Sequence, residues 1–370
     1  MTKHLHIVAF NTPYPPNYGG VIDIYYKCKT LSDLGVKIHL HCFEYGREHS
    51  DTLNKICENV YYYKRKSGLK YLLSSLPYIT VTRRSEELLN DLCKDNYPIL
   101  FEGLHCCYHL NDPKLKDRFK IIRTHNIEHD YYASLAKAEH SAMKRMYLRN
   151  EAKKLKTFES ILSNANCVMA ISPADTKTLL SNYKNVIHVG PFHLDSEVNI
   201  LPGKGYFALY HGNLEVAENV EAALYLINSV FNNIDMPLVI AGQKPPAYLI
   251  EAIKKNKKIE LKPYASTAEI YELIKQAQIN ILPTFQPTGI KLKLLAALYN
   301  GRHCVVNSHM AANTGLETIC HVKDNPAEMK KAIKELFNTP FDHNEIIKRK
   351  EILSTLYNNR TTAEKIIKVI

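Results

Sequence analysis

The sequence predicts an α/β protein made of two doubly wound, Rossmann-like parallel-sheet domains that face a cleft. The chain has 370 residues, which is more than a single hydrophobic core usually supports. Short apolar runs alternate with helix-like segments along both halves, and this is the βαβ rhythm of a parallel sheet. Glycines are scarce, 14 in all, so it is informative that most of them stand where such a segment starts or ends.

The first half begins with an apolar strand, HLHIVAF (4–10), followed by a Pro/Gly loop and a helix over 20–34 that ends at Gly35. The other elements predicted in this half are strands over 36–43, 97–103, 119–125 and 167–172 and a long helical tract from about 128 to 164. Ligands of such sheets bind at the carboxyl ends of the strands. The loops that follow the strands are therefore the places to look for a site.

The pattern loosens over 190–205 and then starts again, so we place the domain boundary there. We assign residues 1–195 to the first domain, 196–352 to the second, and 353–370 to a C-terminal helix that could pack back on the first. The second half is predicted to contain strands over 206–211, 237–242, 259–265, 279–283, 303–308 and 317–322, and helices over 217–231, 267–277, 290–299, 326–338 and 343–369.

The composition excludes several protein classes. Its 45% hydrophobic and 23% charged residues are ordinary for a globular protein, and no stretch approaches the ~20 apolar residues that cross a bilayer. The N-terminus lacks a signal-peptide pattern. Nine cysteines without a C-x-x-C pair favour a reducing compartment. We therefore expect a cytoplasmic protein, or one held at the inner face of the cytoplasmic membrane.

The formal net charge of +11 favours an anionic partner. The basic residues are spread out and match no nucleic-acid-binding motif, so we expect no nucleic acid. The exception is residues 61–84, YYYKRKSGLKYLLSSLPYITVTRR, which mix Tyr and Leu with six basic residues. This composition suits either a surface that rests on an anionic leaflet or a core helix with a basic outer face.

The stretch Pro283–Ser308, PTFQPTGIKLKLLAALYNGRHCVVNS, is the strongest single indication of function. A loop follows a strand, and the next helix carries Lys291 and Lys293 in its first turn, with Thr288 as the expected N-cap. Cations there oppose the helix dipole. Free backbone N–H groups, the positive end of the dipole and two ammonium groups together suit an anion such as phosphate. The alternative is a solvated lysine pair beside an ordinary N-cap.

Seven ordered blocks cover nearly the whole chain: PYPPNYGG (13–20), RTHNIEHDYYASLAKAE (123–139), ISPAD (171–175), YHGNLEVAENVEAALYLI (210–227), LVIAG (238–242), GIKLKLLAALYNG (289–301) and TGL (314–316). Taken together they resemble the retaining glycosyltransferases of family four, the group 1 glycosyl transferases, whose fold is GT-B. The resemblance implies an acceptor-binding first domain and a second domain that binds a nucleotide sugar.

The resemblance also implies roles for individual residues. The catalytic candidates are His125, Lys291 and Lys293. The donor or phosphate candidates are Gly212, Asn213, Asn219, Gly242, Lys244, Thr288, Gly289 and Ile290. The acceptor-side candidates are Gly19, Gly20, Glu102, His105 and Arg123. For the glycines and for His125, Glu102 and His105 the alternative is a plain turn or a satisfied core residue.

The expected reaction moves a sugar from a UDP- or GDP-linked donor to a glycan or lipid-linked acceptor, with retention, in surface polysaccharide or glycoconjugate synthesis. No D-x-D pair occurs, so we expect no metal and no cofactor besides the nucleotide-sugar co-substrate. One departure stands out, because Ala296 takes the place of the acid that commonly holds the ribose in this family. A catalytically inactive scaffold of the same fold is therefore the alternative function.

A remote alternative is a zinc hydrolase. His125-Asn126-Ile127-Glu128-His129 spells H-x-x-E-H, the inverted zinc-protease motif. On a helix the two histidines would share a face and bind zinc, with Glu128 as general base. His125 is predicted to end a strand, however, and the sequence indicates no third ligand.

Overall fold

The computed structural model describes residues 2–139, 141–285 and 291–370, and the chain divides into two compact units. The first unit comprises Met1–His193 together with Asn359–Ile370, and the second comprises Leu194–Asn358. The chain thus passes from one unit to the other twice, after His193 and after Asn358.

The first unit is built on a parallel sheet of seven strands in the order β3-β2-β1-β4-β5-β6-β7. Its strands are β1 (His4–Ala9), β2 (Lys37–Glu44), β3 (Asn59–Lys64), β4 (Ile99–Glu102), β5 (Lys120–Thr124), β6 (Cys167–Ala170) and β7 (Val186–His188). Its α-helices are α1 (Gly19–Asp33), α2 (Asp51–Asn54), α3 (Tyr78–Val81), α4 (Glu86–Leu92), α5 (Glu128–Ala138), α6 (Ala142–Phe158), α7 (Pro173–Leu180) and α15 (Asn359–Val369).

Side chains of the first sheet alternate between two apolar clusters. Leu5 and Ile7 of β1 join the cluster that contains Ile24 of α1 and Ile366 of α15, whereas Val8 belongs to the cluster that contains Leu88 of α4. Alternation with period two is what a strand buried on both faces requires. The helix α15 follows the whole second unit in the chain and yet completes this first core.

The second unit contains a parallel sheet of six strands in the order β10-β9-β8-β11-β12-β13. Its strands are β8 (Ala208–His211), β9 (Leu238–Gly242), β10 (Ile259–Pro263), β11 (Ile279–Ile281), β12 (His303–Val306) and β13 (His321–Val322). Its α-helices are α8 (Ala217–Tyr225), α9 (Ala247–Lys254), α10 (Thr267–Gln276), α11 (Leu292–Asn300), α12 (Ser308–Ala311), α13 (Pro326–Asn338) and α14 (His343–Leu356).

The doubly wound α/β prediction is confirmed for both units, but several expected elements are wrong in detail. The helical tract expected over 128–164 is the pair α5 and α6 followed by a 3₁₀ turn at Glu159–Asn164. The helix expected over 343–369 is interrupted after Leu356. The strand expected over 317–322 is a 3₁₀ turn, Glu317–Ile319, with only the two residues of β13 behind it.

The segment 61–84 contains no core helix. It holds the end of β3, an exposed 3₁₀ turn at Leu69–Leu73 and the single turn α3. Across the described residues, no helix is both long enough and apolar enough to cross a lipid bilayer.

Histidines of β1 and β2 predict that the fold loses stability in acid. Burial lowers the pKa of His6 to about 4, although Asp95 at 2.9 Å opposes this shift, and burial also lowers the pKa of His41. Below the ordinary histidine pKa of about 6.5, these side chains bind protons in the unfolded chain but not in the folded chain. The free energy of unfolding should therefore fall between about pH 6.5 and 4, by roughly 3 kcal/mol for His6 alone.

Urea unfolding followed by circular dichroism, at a series of pH values through this range, measures the effect. His6→Asn should reduce the pH dependence, and His343→Asn, at an exposed histidine, should leave it unchanged. A free energy of unfolding that stays flat through this range would show that the buried histidines are protonated in the folded state.

Candidate active site

The second sheet reverses its strand order between β8 and β11, which are neighbours. Loops that follow such a pair leave the sheet in opposite directions and open a crevice at the carboxyl ends of the strands. The loop after β8 begins at Gly212 and leads into α8, and the chain after β11 leads towards α11. Residues from both connections meet at this point.

Lys293 in the first turn of α11 joins the two connections. Its Nζ donates a hydrogen bond of 2.6 Å to Oδ1 of Asn219 on α8 and lies 5.4 Å from the centre of the Tyr210 ring. The amide of Asn219 donates in turn to the carbonyl of Asn213 at 2.8 Å. The sequence-predicted residues Asn213, Asn219 and Lys293 are thus brought together.

A second contact crosses the same crevice. The hydroxyl of Thr284, just after β11, donates to the carboxylate of Glu218 on α8. Asn307 holds the backbone of Thr284 from both sides: its Oδ1 accepts from the Thr284 N–H at 3.0 Å, and its amide donates to the Thr284 carbonyl at 2.6 Å. Glu218 is thereby fixed close to Lys291 and Lys293.

Burial of two cations makes this crevice electropositive. Burial lowers the pKa of Lys293 to about 8, and the positive charge of Lys291 lowers it further, against the attraction of Glu218. Burial lowers the pKa of Lys291 as well. Beside them, burial lowers the pKa of His211 to about 3, so its ring is neutral. Among the described residues, Glu218 is the carboxylate that acts on both lysines, and a bound anion would add to its effect.

The start of α11 differs from the expectation. The helix begins at Leu292 with Lys291 as N-cap, not Thr288, and within its described residues no side chain caps it and no acid lies in its first turn. Among the described residues, no side chain competes with an anion for the N–H groups at this helix start. The predicted phosphate-binding residues Thr288, Gly289 and Ile290 lie outside the described residues.

Gly242 at the end of β9 is required by close backbone packing. A Cβ there would lie 1.8 Å from the carbonyl oxygen of Gly212, so any other residue would push the loops after β8 and β9 apart. Lys244 follows in a left-handed conformation with φ 47°. Its ammonium group is exposed and pairs with Glu215 at 3.2 Å.

Ala296 does not line a polar pocket. It is buried in an apolar cluster with Leu209, Val239, Ala241 and Ile274. A glutamate in that place would bring a charge among aliphatic side chains, at considerable cost.

The first sheet has the same reversal between β1 and β4, and a buried charge network lies beneath it. Lys27 on α1 donates to Glu102 at 2.5 Å and to Asp23 at 3.0 Å. His125 Nε2 donates to the other oxygen of Glu102 at 2.8 Å. Burial alone would raise the pKa of Glu102, but Lys27 and His125 outweigh it and hold the pKa below its usual value.

His125 is held in one tautomer by this network. Since Glu102 is ionised, Nε2 of His125 carries the hydrogen and Nδ1 offers a lone pair. Nδ1 is buried and, among the described residues, has no hydrogen-bond partner. The ring of Phe10 packs edge-on against it. His125 is thus ready to accept a hydrogen bond from a hydroxyl group.

Arg123, another acceptor-side candidate, belongs to the same buried network through Asp23. Its guanidinium is fully buried and donates to Asp23 and to the carbonyls of Val189 and Gly190. It therefore ties β5 to α1 and to the end of the first unit. Asp23, Glu102 and His125 have the spacing of metal ligands, but the ammonium of Lys27 already stands between the two carboxylates.

The remaining acceptor-side candidates lie near Phe10. Gly19 and Gly20 open α1, and a Cβ on Gly20 would meet the Phe10 ring at 2.5 Å. His105 stacks obliquely on the same ring and has its pKa lowered by burial. These residues share one apolar contact, whereas Glu102 and His125 share a charged one.

The H-x-x-E-H pattern does not form a zinc site. The helix α5 begins at Glu128, so His125 lies outside it. His125 bonds to Glu102, whereas His129 bonds to Glu159 at 2.9 Å. Of all the described residues, only the Asp23, Glu102 and His125 group has ligand spacing, and His129 is not in it. The zinc-hydrolase hypothesis is wrong.

Several residues that lie next to the predicted site residues were not predicted from the sequence. Next to Lys291 and Lys293 these are Thr284, Glu218 and His211, and next to Glu102 they are Asp23 and Lys27. The i, i+4 spacing of Asp23 and Lys27 was visible on a helix otherwise rich in apolar residues, and it was the one signal that could have indicated buried charges there.

The lowered pKa of Lys293 predicts that binding of a nucleoside diphosphate is linked to proton uptake. A bound diphosphate favours the charged lysine, so affinity should fall as the pH rises above about 8, by up to tenfold per unit. Calorimetric titration with UDP and GDP at several pH values measures this. Lys293→Arg should remove the dependence because arginine stays charged, and Lys244→Arg should keep it. An affinity independent of pH in the unaltered protein would place the diphosphate away from Lys293.

Comparison with known proteins agrees with this architecture. Residues 206–339 match the sequence model of the family described as glycosyl transferases group 1. An uncharacterised 44.6 kDa protein in the cps region of Klebsiella pneumoniae is 28% identical over 337 residues, which cover 84% of either chain.

Three solved structures share the fold at low sequence identity. TarM superposes with a TM-score of 0.69 and 12% identity over 100% of this chain and 99% of its own. A glycosyltransferase from Rickettsia africae gives 0.66 and 14% over 99% and 97%. Medicago truncatula UGT71G1, complexed with UDP-glucose, gives 0.58 and 11% over 99% and 98%. Residues 206–339 thus match a group 1 glycosyl transferase domain, and the whole chain shares the GT-B fold of these structures.

Proposed function

We propose that the protein transfers a sugar from a UDP- or GDP-linked donor to a glycan or lipid-linked acceptor in the synthesis of a surface polysaccharide. The observation that carries the proposal is the pair Lys291 and Lys293, partly buried at the start of α11, where no side chain of the described residues caps the helix and the carboxylate of Glu218 acts on both lysines. The relative from a cps region and the UDP-glucose complex of UGT71G1 support the acceptor class and the donor class respectively.

The diphosphate of the donor is assigned to the crevice between α8 and α11. When the bond between the sugar and the diphosphate breaks, negative charge grows on the leaving phosphate oxygen. Lysine charges and backbone N–H groups that are already in place stabilise that charge without reorganising. Lys293 is held by Asn219 at 2.6 Å before any ligand arrives, which is the kind of preorganisation this step needs.

We further propose that transfer proceeds with retention and without a metal. The two lysines replace the charge that a divalent ion would supply, and no D-x-D pair is present. The acceptor hydroxyl loses its proton to the departing phosphate oxygen as the new bond to the sugar forms. This proton transfer does not use the buried carboxylates Asp23 and Glu102. They are already paired with Arg123, Lys27 and His125.

In the first unit, His125 is proposed to accept a hydrogen bond from a sugar hydroxyl at Nδ1. The carboxylate of Glu102 fixes the tautomer that makes this possible, and Lys27 keeps Glu102 ionised. Glu102 is thus a positioning residue, and His125 is the residue that touches the substrate.

The apolar surroundings of Ala296 bear on the alternative of an inactive scaffold. Because Ala296 belongs to an apolar cluster, the ribose hydroxyls are proposed to find their partners elsewhere, and activity is proposed not to require an acid at this position. A protein that bound no nucleotide would instead favour the scaffold.

Turnover with a panel of UDP- and GDP-sugars tests the proposal. We expect hydrolysis or transfer with one of them, reduced by at least about a hundredfold in kcat/KM when Lys291 and Lys293 are both changed to Ala, since charge stabilisation at the leaving group is lost. Lys254→Ala together with Lys255→Ala removes the same charge from an exposed part of the second unit and should have no effect. If the protein neither bound nor turned over any sugar nucleotide of the panel, the proposal would be refuted.

The Glu102→Gln variant tests the positioning role. A neutral amide no longer stabilises the Nε2–H tautomer of His125, so kcat/KM should fall by about tenfold and its pH profile should shift, while the affinity for free UDP or GDP stays unchanged. His125→Asn should give a similar loss, with no further loss in the double variant. An unaltered pH profile in a folded Glu102→Gln variant would mean that the network serves only the core.

A further inference from the structure

The chain leaves the edge strand β3 at Lys64 and forms an exposed turn that the core does not explain. Within the 3₁₀ helix Leu69–Leu73 no residue is buried. Leu69 is 80% exposed and Leu73 is 90% exposed. Single exposed leucines are common, but two on one turn, both almost fully solvated, form a feature that calls for a partner. Residues 64–73 are called the leucine turn below.

The leucine turn is fastened to the unit at both ends. The N–H of Lys66 donates to the Thr82 carbonyl at 2.8 Å, and Lys154 of α6 donates to the carbonyl of Leu72 at 2.9 Å. Arg65 donates to the Thr82 hydroxyl at 3.1 Å. These contacts fix the backbone, so the two leucines are presented outward by a held loop.

The surroundings of the leucine turn are strongly basic. No acid occurs between Glu58 and Glu86, and the lysines at 64, 66 and 70 are all exposed. The neighbouring helix α6 contains one acid, Glu151, which is 1% exposed and pairs with Lys154. Exposed side chains on α6 add two further large apolar groups and four more charges: Met143, Met146, Lys144, Arg149, Lys153 and Lys156.

We propose that the leucine turn and the exposed face of α6 dock the first unit on an anionic lipid bilayer. Leucine and methionine side chains enter the boundary between headgroups and acyl chains, and the lysines around them pair with anionic headgroups. Each lysine near such a surface strengthens binding by about fivefold. Nucleic acid would leave the leucines in water, since it is bound through phosphate contacts and stacking on aromatic or arginine groups. The inference rests on the first unit alone and does not depend on the donor site.

The natural sequence lacks tryptophan, which allows a direct test. The full chain carrying Leu73→Trp is mixed with vesicles of phosphatidylcholine, with or without phosphatidylglycerol. We expect a blue shift of the tryptophan emission, and quenching by brominated acyl chains, only with the anionic vesicles, and weaker binding at high salt. Leu180→Trp, at another exposed leucine of the first unit, should show neither change.

Sedimentation of the protein with the same vesicles measures the contributions of the two kinds of side chain. Leu69→Ser with Leu73→Ser, and separately Lys64→Gln, Lys66→Gln and Lys70→Gln together, should each weaken binding at least tenfold. The triple change Lys254→Gln, Lys255→Gln and Lys257→Gln removes as much charge from the second unit and should leave binding intact. UDP and GDP affinities confirm that each variant keeps its donor site.

Three results would overturn the proposal. If the serine substitutions left vesicle binding unchanged, the leucines would not insert, and the basic face would instead bind an acidic polymer or protein. If the two triple lysine variants weakened vesicle binding equally, binding would depend only on the net charge of the protein. Absence of binding to anionic vesicles would refute docking directly, whatever the outcome of the sugar-transfer assays.

Discussion

Parallel strands whose order reverses in the middle of a sheet constrain where chemistry can occur in this protein. In both units the first strand and the fourth strand along the chain are neighbours, so the connections that follow them part at a fixed place. Each candidate cluster lies there: Lys293 with Asn219 in the second unit, and Glu102 with His125 in the first.

The two clusters solve the problem of buried charge in opposite ways. In the first unit, Asp23 and Glu102 are matched by Lys27 and Arg123, so that charges of both signs are compensated inside the fold. Breaking such a set costs about 3–5 kcal/mol because a charge is left alone. In the second unit, burial lowers the pKa of Lys293, the positive charge of Lys291 lowers it further, and Glu218 opposes both effects. The first cluster fixes a geometry, and the second is the one proposed to bind an anion.

Much of the fold could be predicted because strand periodicity and glycine placement are local signals. The first strand and the strand before Gly242 were expected within a residue or two of their observed bounds. What failed depended on tertiary contacts. Whether the leucines at 69 and 73 would be buried could not be known without the packing of α6, and the hydropathy of the segment alone favoured a core helix as much as a surface.

The candidate site was predicted in outline for a similar reason. Lys293 and Asn219 stand 74 residues apart, and each carried its own local motif, so each could be found separately. Thr284 and Glu218 carry no motif, and their contact exists only because β8 and β11 are adjacent. Arg123 was counted among the acceptor-side candidates, and only the packing of α1 against β5 shows that its guanidinium is buried against Asp23.

The return of the chain to the first unit affects the order in which the protein can fold. Asn359 binds His193 through both its side-chain oxygen and its amide, at 3.2 and 2.7 Å, and α15 then adds Ala363 and Ile366 to the first core. During synthesis, the ribosome must therefore deliver the entire second unit before the first can close its apolar face. Part of the apolar core of the first unit stays exposed until the residues after 358 have been synthesised. We therefore expect the nascent chain to depend on chaperones for longer than a protein whose two units follow one another in sequence.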